Sequence, residues 1–92
     1  MRREIFYMKS FIYQIQDAVG VHAKPANALV EEAKKYKSKI IIKCENGECD
    51  ATKLMDLLGL SIMMDDYVTV EITGEDEEVA AAEFEAFMKD TL

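Results

Sequence analysis

Two segments of the chain alternate in hydrophobicity, and this pattern constrains the fold most strongly. Phe11 to Gln16 places Phe, Tyr and Ile on one face, and Tyr67 to Thr73 places Val, Val and Ile on one face with polar side chains and a tyrosine opposite. Alternation with a mainly polar outer face is typical of strands in an antiparallel sheet that is covered on one side. The sequence therefore predicts an α+β fold with helices over one face of an antiparallel sheet.

The segments between and after these strands have the apolar spacing of helices. The stripe from Ala26 to Ala33 predicts an amphipathic helix that begins near Ala23 and ends near Tyr36. A brief Leu- and Met-rich helix is predicted over Lys53–Leu60, and a last helix follows Asp76, which we interpret as its N-cap. The predicted order is βαββαβα.

The dipeptide Asn46-Gly47 predicts a two-residue hairpin turn. It would join a strand over Lys39–Cys44 to a partner strand over Glu48–Thr52. In that register Cys44 faces Cys49, with a cross-strand disulfide geometrically within reach. We interpret the two thiols as small core residues in a reducing compartment, with a redox-responsive pair as the alternative.

Composition bounds the class of protein. The 92 residues make one small domain, with residues 1–8 predicted to be a disordered N-terminal extension, or an upstream start before Met8, and residues 9–92 the folded domain. A net charge of -7 disfavours binding to nucleic acid or to a membrane surface. The apolar runs are far shorter than the roughly 20 residues of a spanning helix, so no membrane insertion is expected. Two cysteines and no signal peptide predict a cytoplasmic protein.

The single histidine stands three positions before the single proline. Because Pro25 has no N–H to donate, it suits a first helical turn, and a helix should therefore begin within a residue or two of His22. The free N–H groups of a helix start bind anions, and a neutral imidazole is a nucleophile. With the positive charge of Lys24, these features predict a histidine that accepts a phosphoryl group. The alternative, more common for a lone histidine, is a solvated loop residue or cap.

No metal site or bound cofactor is predicted. The chain has no second histidine, and nothing in the sequence places Cys44 and Cys49 beside His22. The acidic run Glu75 to Glu78 is better explained as a solvated helix start.

The segment Gly20-Val21-His22-Ala23-Lys24-Pro25-Ala26 resembles the active-site motif of the histidine-containing phosphocarrier proteins (HPr) of the bacterial phosphoenolpyruvate:sugar phosphotransferase system. The similarity extends from about Phe11 to the C-terminus and takes in Asn46-Gly47, Leu58-Gly59-Leu60 and Gly74-Glu75-Asp76-Glu77. The resemblance implies an open-faced sandwich, in which three helices cover one face of a four-stranded antiparallel sheet.

The resemblance also implies a function. His22 would be phosphorylated on Nδ1 by the phosphoenolpyruvate-dependent Enzyme I, and would pass the phosphoryl group to a IIA domain of a sugar permease. The chain would be a carrier in a relay rather than a stand-alone enzyme, and a monomer is the simplest state for it. Ala23 and Lys24 would hold the phosphoryl group. Candidate partner contacts are Ala23, Lys24, Leu54, Met55 and Leu58. For the Leu and Met side chains, the alternative role is core packing.

Two residues depart from the family's pattern. Lys24 stands where the family normally has arginine, whose planar fork contacts phosphate bidentately. Lys53 aligns with the regulatory serine of many Gram-positive members, and no serine occurs from Cys49 to Leu60, where Thr52 is the one hydroxyl. Regulation through that serine is therefore not expected. The alternative function is an HPr-like regulatory binding module with little or no phosphoryl flux.

Overall fold

The computed structural model describes residues 8–92 and contains four strands and three helices in the predicted order. They are β1 (Lys9–Gln14), α1 (Ala23–Ala33), β2 (Lys39–Cys44), β3 (Gly47–Asp50), α2 (Leu54–Gly59), β4 (Tyr67–Thr73) and α3 (Glu77–Thr91). The strands form one antiparallel sheet in the order β1-β4-β2-β3. The predicted α+β open-faced sandwich is confirmed. Apart from Met8, the predicted N-terminal extension lies outside the described residues.

The core lies between the helices and the inward face of the sheet. Val68, Val70 and Ile72 of β4 are at most 1% exposed, as their alternation predicts. The helices bring their apolar stripes onto this face, and the largest fully buried side chains are Phe84, Ile15, Leu29, Ile40, Ile42, Leu57, Ile72 and Met88. None of the helices within residues 8–92 is both long and apolar enough to span a bilayer.

The hairpin register differs from the prediction. Cys44 pairs with Gly47 and Ile42 pairs with Cys49, so Glu45 and Asn46 form the turn. A tertiary contact accompanies this shift, because Asn46 Nδ2 donates to the backbone oxygen of Leu60 at 2.8 Å and ties the turn to the loop after α2. The observed turn therefore does not follow the preference of Asn-Gly for the two central positions of a hairpin turn.

The same register separates the two thiols. Cys44 and Cys49 are diagonal neighbours rather than an opposite pair, and diagonal Cα atoms in a sheet lie about 7–8 Å apart, at or beyond the reach of a disulfide. Both cysteines are free. Burial, together with the nearby Asp56 and Asp50, raises the pKa of Cys49 to about 11, which keeps that thiol protonated and unreactive near neutral pH.

Four elements differ from their predicted bounds. β3 spans Gly47–Asp50 rather than Glu48–Thr52, and α2 spans Leu54–Gly59 rather than Lys53–Leu60. β1 ends at Gln14 rather than Gln16, because the backbone N–H groups of Gln16 and Asp17 donate to the Leu92 oxygen, both at 2.7 Å, instead of continuing the ladder with β4. α1 ends at Ala33 rather than near Tyr36. The Tyr36 hydroxyl lies 2.6 Å from Glu32 Oε2 and 3.0 Å from Glu83 Oε1 of α3. β1 and α1 are thus each followed by residues that bond to α3 or to Leu92, the residue after it.

Asp76 occupies the N-cap position of α3 as predicted, but its side chain does not cap the helix. The carboxylate instead accepts the backbone N–H groups of Lys37 and Ser38, both at 2.9 Å, and the Ser38 hydroxyl. Asp76 therefore joins the start of α3 to the chain just before β2. These hydrogen bonds, with the Ser38 hydroxyl contributing most, lower the pKa of Asp76.

Candidate functional site

The loop between β1 and α1 is a compact turn that is fixed to the end of α3. Within this loop, Asp17 donates its backbone N–H to the Leu92 oxygen, as described above. The Asp17 side-chain atom Oδ1 accepts the Val19 N–H at 2.8 Å, and the Asp17 carbonyl accepts the Gly20 N–H at 3.0 Å. The side chain and the backbone of Asp17 therefore both hold the loop in place.

Gly20 allows the loop to turn towards α1. Its φ is +80°, and a Cβ there would lie 2.5 Å from the Ile62 carbonyl oxygen and 2.8 Å from Met63 Cα. The next residue, Val21, is buried and donates its N–H to the same Ile62 oxygen at 2.9 Å. A glycine is therefore required for the chain to pass this closely against the loop between α2 and β4.

His22 is the N-cap residue of α1, with an extended backbone and no capping hydrogen bond from its side chain. Its side chain is 42% exposed, and Nε2 lies 4.0 Å from Asp17 Oδ1. The imidazole borders an open cleft of about 380 Å³, which is lined by Asp17, His22, Lys24, Pro25, Ala28 and Thr91. A half-exposed ring at a helix start is accessible to another protein.

The first turn of α1 presents free donors at the same place. Pro25, the third helical residue, has no N–H, and the Ala26 N–H donates to the His22 carbonyl at 2.9 Å. By helix geometry, the N–H groups left without an intrahelical acceptor are those of Ala23 and Lys24. The turn contains no acidic residue, and both residues are exposed. A nucleophile, two amide donors and a lysine therefore lie on successive residues at this helix start, a combination that suits a dianionic group.

The other predicted residues lie on and beside α2. Met55 is 75% exposed, whereas Leu54 and Leu58 are half-buried and pack against the core. Lys53 is the exposed N-cap residue of α2 and makes no capping hydrogen bond with its side chain. α1 and α2 are in contact, so these residues flank the helix that carries the histidine.

Two parts of the site were missed from sequence. Asp17 faces the imidazole, and the Ile62–Met63 segment supports the loop that presents it. An aspartate three residues before a glycine is a sequence signal for a turn, so the turn from Asp17 to Gly20 could have been predicted. Nothing in the sequence pairs that loop with Ile62. Within residues 8–92, no three His, Cys, Asp or Glu side chains converge in a group that could hold a metal ion.

Comparison with known proteins agrees with this geometry. A family model described as "PTS HPr component phosphorylation site" matches residues 9–90. The chain is 37% identical over 83 residues to the phosphocarrier protein HPr of Mycoplasma genitalium, an alignment that covers 89% of this chain and 94% of that protein. The chain therefore belongs to the HPr family of the phosphotransferase system.

Solved structures give the same result. A mycoplasma histidine-containing phosphocarrier protein superposes with a TM-score of 0.86 at 30% identity, covering 90% of this chain and 94% of that one. An HPr from Thermoanaerobacter tengcongensis superposes with a TM-score of 0.84 at 26% identity, covering 90% and 93% respectively. The fold and the sequence therefore point to one family.

Proposed function

We propose that this protein is a phosphocarrier in which His22 accepts a phosphoryl group from Enzyme I and passes it to a IIA component of a sugar permease. The observation that carries the proposal is the half-exposed imidazole at the start of α1, beside two backbone N–H groups without intrahelical acceptors and no acidic side chain in the first turn. Family membership supports the same role.

In the proposed reaction Nδ1 of neutral His22 attacks the phosphorus atom. Nε2 faces Asp17, and Nδ1 is the other ring nitrogen, which is bonded closer to the backbone of this N-cap residue. As the P–N bond forms, the bond from phosphorus to the donor breaks and its electron pair leaves with the donor. The amides of Ala23 and Lys24 and the Lys24 ammonium group then stabilise the phosphoryl oxygens. The attraction is local, so a net charge of -7 does not oppose it.

The same geometry supports a docking surface around His22. Ala23 and Lys24 are exposed on α1, Met55 is exposed on α2, and Leu54 and Leu58 are partly accessible beside it. Methionine is flexible and polarizable, which suits a surface that must fit both a phosphoryl donor and an acceptor. We propose that a monomer presents this surface in the cytoplasm and that it uses no metal or cofactor of its own.

The position of Lys53 bears on regulation. An exposed lysine is the N-cap residue of α2, where its side chain offers no hydroxyl for phosphorylation. We propose that control through a phosphorylated serine at this helix is absent, and that control of the carrier acts through the state of His22.

The test is transfer of a labelled phosphoryl group. The wild-type protein, Enzyme I and labelled phosphoenolpyruvate should give an acid-labile, base-stable phosphoprotein, and adding a IIA domain should discharge it. His22→Ala, shown to be folded by circular dichroism, should accept no label. Failure of the wild type to accept label from the cognate Enzyme I would contradict the carrier function. Labelling without discharge to any IIA domain would favour the regulatory module.

A further inference from the structure

The cleft beside His22 also contains the Asp17 carboxylate, which has no role in the reaction as proposed so far. Asp17 Oδ1 lies 4.0 Å from His22 Nε2, and the two side chains are 33% and 42% exposed. We propose that Asp17 is a positioning residue for phosphoryl transfer, which holds the proton of His22 on Nε2 and stabilises the ring once Nδ1 carries the phosphoryl group. This inference rests on the proposed function.

The carboxylate is held in place before any partner arrives. Its Oδ1 accepts the Val19 N–H at 2.8 Å, and the Asp17 backbone is bonded to Leu92 and Gly20. Gly20 in turn fixes the start of the segment that leads to His22, through its close approach to Ile62. The Asp17 carboxylate and His22 therefore lie at the two ends of one hydrogen-bonded loop, which keeps them close to each other.

The 4.0 Å separation is longer than a hydrogen bond, so the contact in the unphosphorylated protein is electrostatic. Contacts between catalytic groups are often long before the reacting complex forms and shorten when it does. A carboxylate that faces one nitrogen of an imidazole favours the tautomer with the proton on that nitrogen. Here that tautomer leaves the lone pair on Nδ1, the nitrogen that attacks phosphorus in the proposed reaction.

The charges balance through the whole transfer. When Nδ1 attacks phosphorus, the ring keeps its Nε2–H and gains a positive charge, while the donor leaves with the electron pair of the broken bond. Asp17 offsets that positive charge. When the acceptor attacks phosphorus, the P–N bond breaks, its electron pair returns to Nδ1, and the ring is neutral again. The proton stays on Nε2 throughout, so the cycle needs no further acid or base.

No other carboxylate among the residues lining the cleft duplicates this role. The charged residues of the lining are Asp17, from the loop, and Lys24, from α1, and the polar group that α3 contributes is the neutral Thr91. Lys24 favours the dianionic phosphoryl group and opposes a positive ring. The side chain placed to favour the positive ring is therefore Asp17.

The test uses Asp17→Asn, which keeps an oxygen for the Val19 N–H but removes the charge. Glu45→Gln, in the exposed hairpin turn, is the matched control for loss of one negative charge. Two readouts separate positioning from a merely structural role. The ¹⁵N chemical shifts of the His22 ring report which nitrogen carries the proton, and single-turnover kinetics with Enzyme I separate the transfer rate constant from binding.

In the folded Asp17→Asn variant we expect the share of the Nδ1–H tautomer to rise at least about threefold and the transfer rate constant to fall about tenfold, with apparent affinity for Enzyme I unchanged. Glu45→Gln should match the wild type. An unchanged tautomer ratio or an unchanged rate constant in Asp17→Asn would overturn the inference. If the wild type accepts no phosphoryl group, the proposed function itself fails and the inference falls with it, whereas a phosphorylated wild type matched by Asp17→Asn refutes the role of Asp17 alone.

Discussion

The starts of α1 and α3 have a similar backbone arrangement but differ in the charged side chains of their first turns. Each follows a glycine two residues before the N-cap, and a Cβ on that glycine would lie 2.5 Å from Ile62 O in one case and 2.6 Å from Ser38 Cα in the other. At α3 the chain supplies its own anions, with Glu77 and Glu78 in the first turn and Glu77 Oε1 accepting the Gly74 N–H at 3.0 Å. At α1 it supplies none.

This difference shows how the same arrangement of loop and helix start can become a functional site. Carboxylates in the first turn of a helix interact favourably with its positive N-terminal dipole and stabilise it by about 0.3–1 kcal/mol each. α3 has this stabilisation. α1 lacks it and instead presents its donors beside His22 and Lys24. The start of α1 is therefore available to an anion from another molecule, which the proposed function identifies as a phosphoryl group.

The largest expected effect is shared by the two glycines. Gly20→Ala and Gly74→Ala should each lower the free energy of unfolding by about 3 kcal/mol, because the added Cβ meets backbone atoms in both places. Urea denaturation measures this loss. Only Gly20→Ala should also slow phosphoryl acceptance, since only that loop leads to His22. If folded Gly20→Ala accepts phosphate as fast as Gly74→Ala does, the loop geometry is not needed for transfer.

Next in size is the charged junction at α3. Asp76→Asn should lower the free energy of unfolding by about 2 kcal/mol at neutral pH, because three hydrogen bonds to a carboxylate are weakened. The Ser38 hydroxyl and the nearby backbone N–H groups lower the pKa of Asp76 in the folded protein. Its contribution is therefore complete above the unfolded pKa of about 3.9 and is lost as the pH falls through the lower folded value.

Urea denaturation at several pH values between neutrality and acid checks this sign. The stability difference between the wild type and Asp76→Asn should shrink as the pH falls below about 4. Phosphoryl acceptance by His22 should be unaffected at neutral pH. A difference that grows on acidification would show that the carboxylate is not stabilised by these hydrogen bonds.

A third change would close the open helix start. Ala23→Glu places a carboxylate in the first turn of α1, as α3 already has, and should raise stability by about 0.5 kcal/mol. It should also slow phosphoryl acceptance about tenfold, which corresponds to about 1.4 kcal/mol, because the added charge competes with the phosphoryl group for the same donors. Ala23→Gln has the same length without the charge and should slow transfer much less. Equal effects of the two variants would mean that side-chain size, not charge, is responsible.

The smallest expected effect concerns the charge beside the histidine. Lys24→Arg should raise the rate of phosphoryl transfer from Enzyme I about two- to threefold, because a guanidinium group contacts phosphate bidentately and an ammonium group does not. The measurement is the single-turnover rate with saturating Enzyme I. An unchanged or lower rate would indicate that the site is adapted to lysine.

The sequence predicted those elements whose formation depends mainly on residues that are close together in the chain. The alternation of Val68, Val70 and Ile72 anticipated β4 because one face of the strand is buried. Pro25 anticipated the start of α1 because a residue without an N–H fits the first turn. Pro25 therefore placed His22 at a helix start, which is the central feature of the site.

The parts that could not be predicted depend on contacts between distant segments. The turn at Glu45-Asn46 is shifted from the expected Asn46-Gly47 position, and Asn46 bonds to Leu60. Asp76 has the sequence context of a cap, but its carboxylate bonds to Lys37 and Ser38. The position of Asp17 beside the imidazole depends on how the end of α3 and the Ile62 loop hold the β1–α1 turn.

The most direct test of the account is an NMR comparison of the two helix starts before and after phosphorylation. In ¹⁵N-labelled protein treated with Enzyme I and phosphoenolpyruvate, we expect phosphorus coupled to Nδ1 of His22, large downfield shifts of the Ala23 and Lys24 amide protons, and no comparable change at Glu77 and Glu78. Phosphorus on another residue, or a phosphorylated His22 with unshifted Ala23 and Lys24 amides, would contradict the claim that the open start of α1 receives the phosphoryl group.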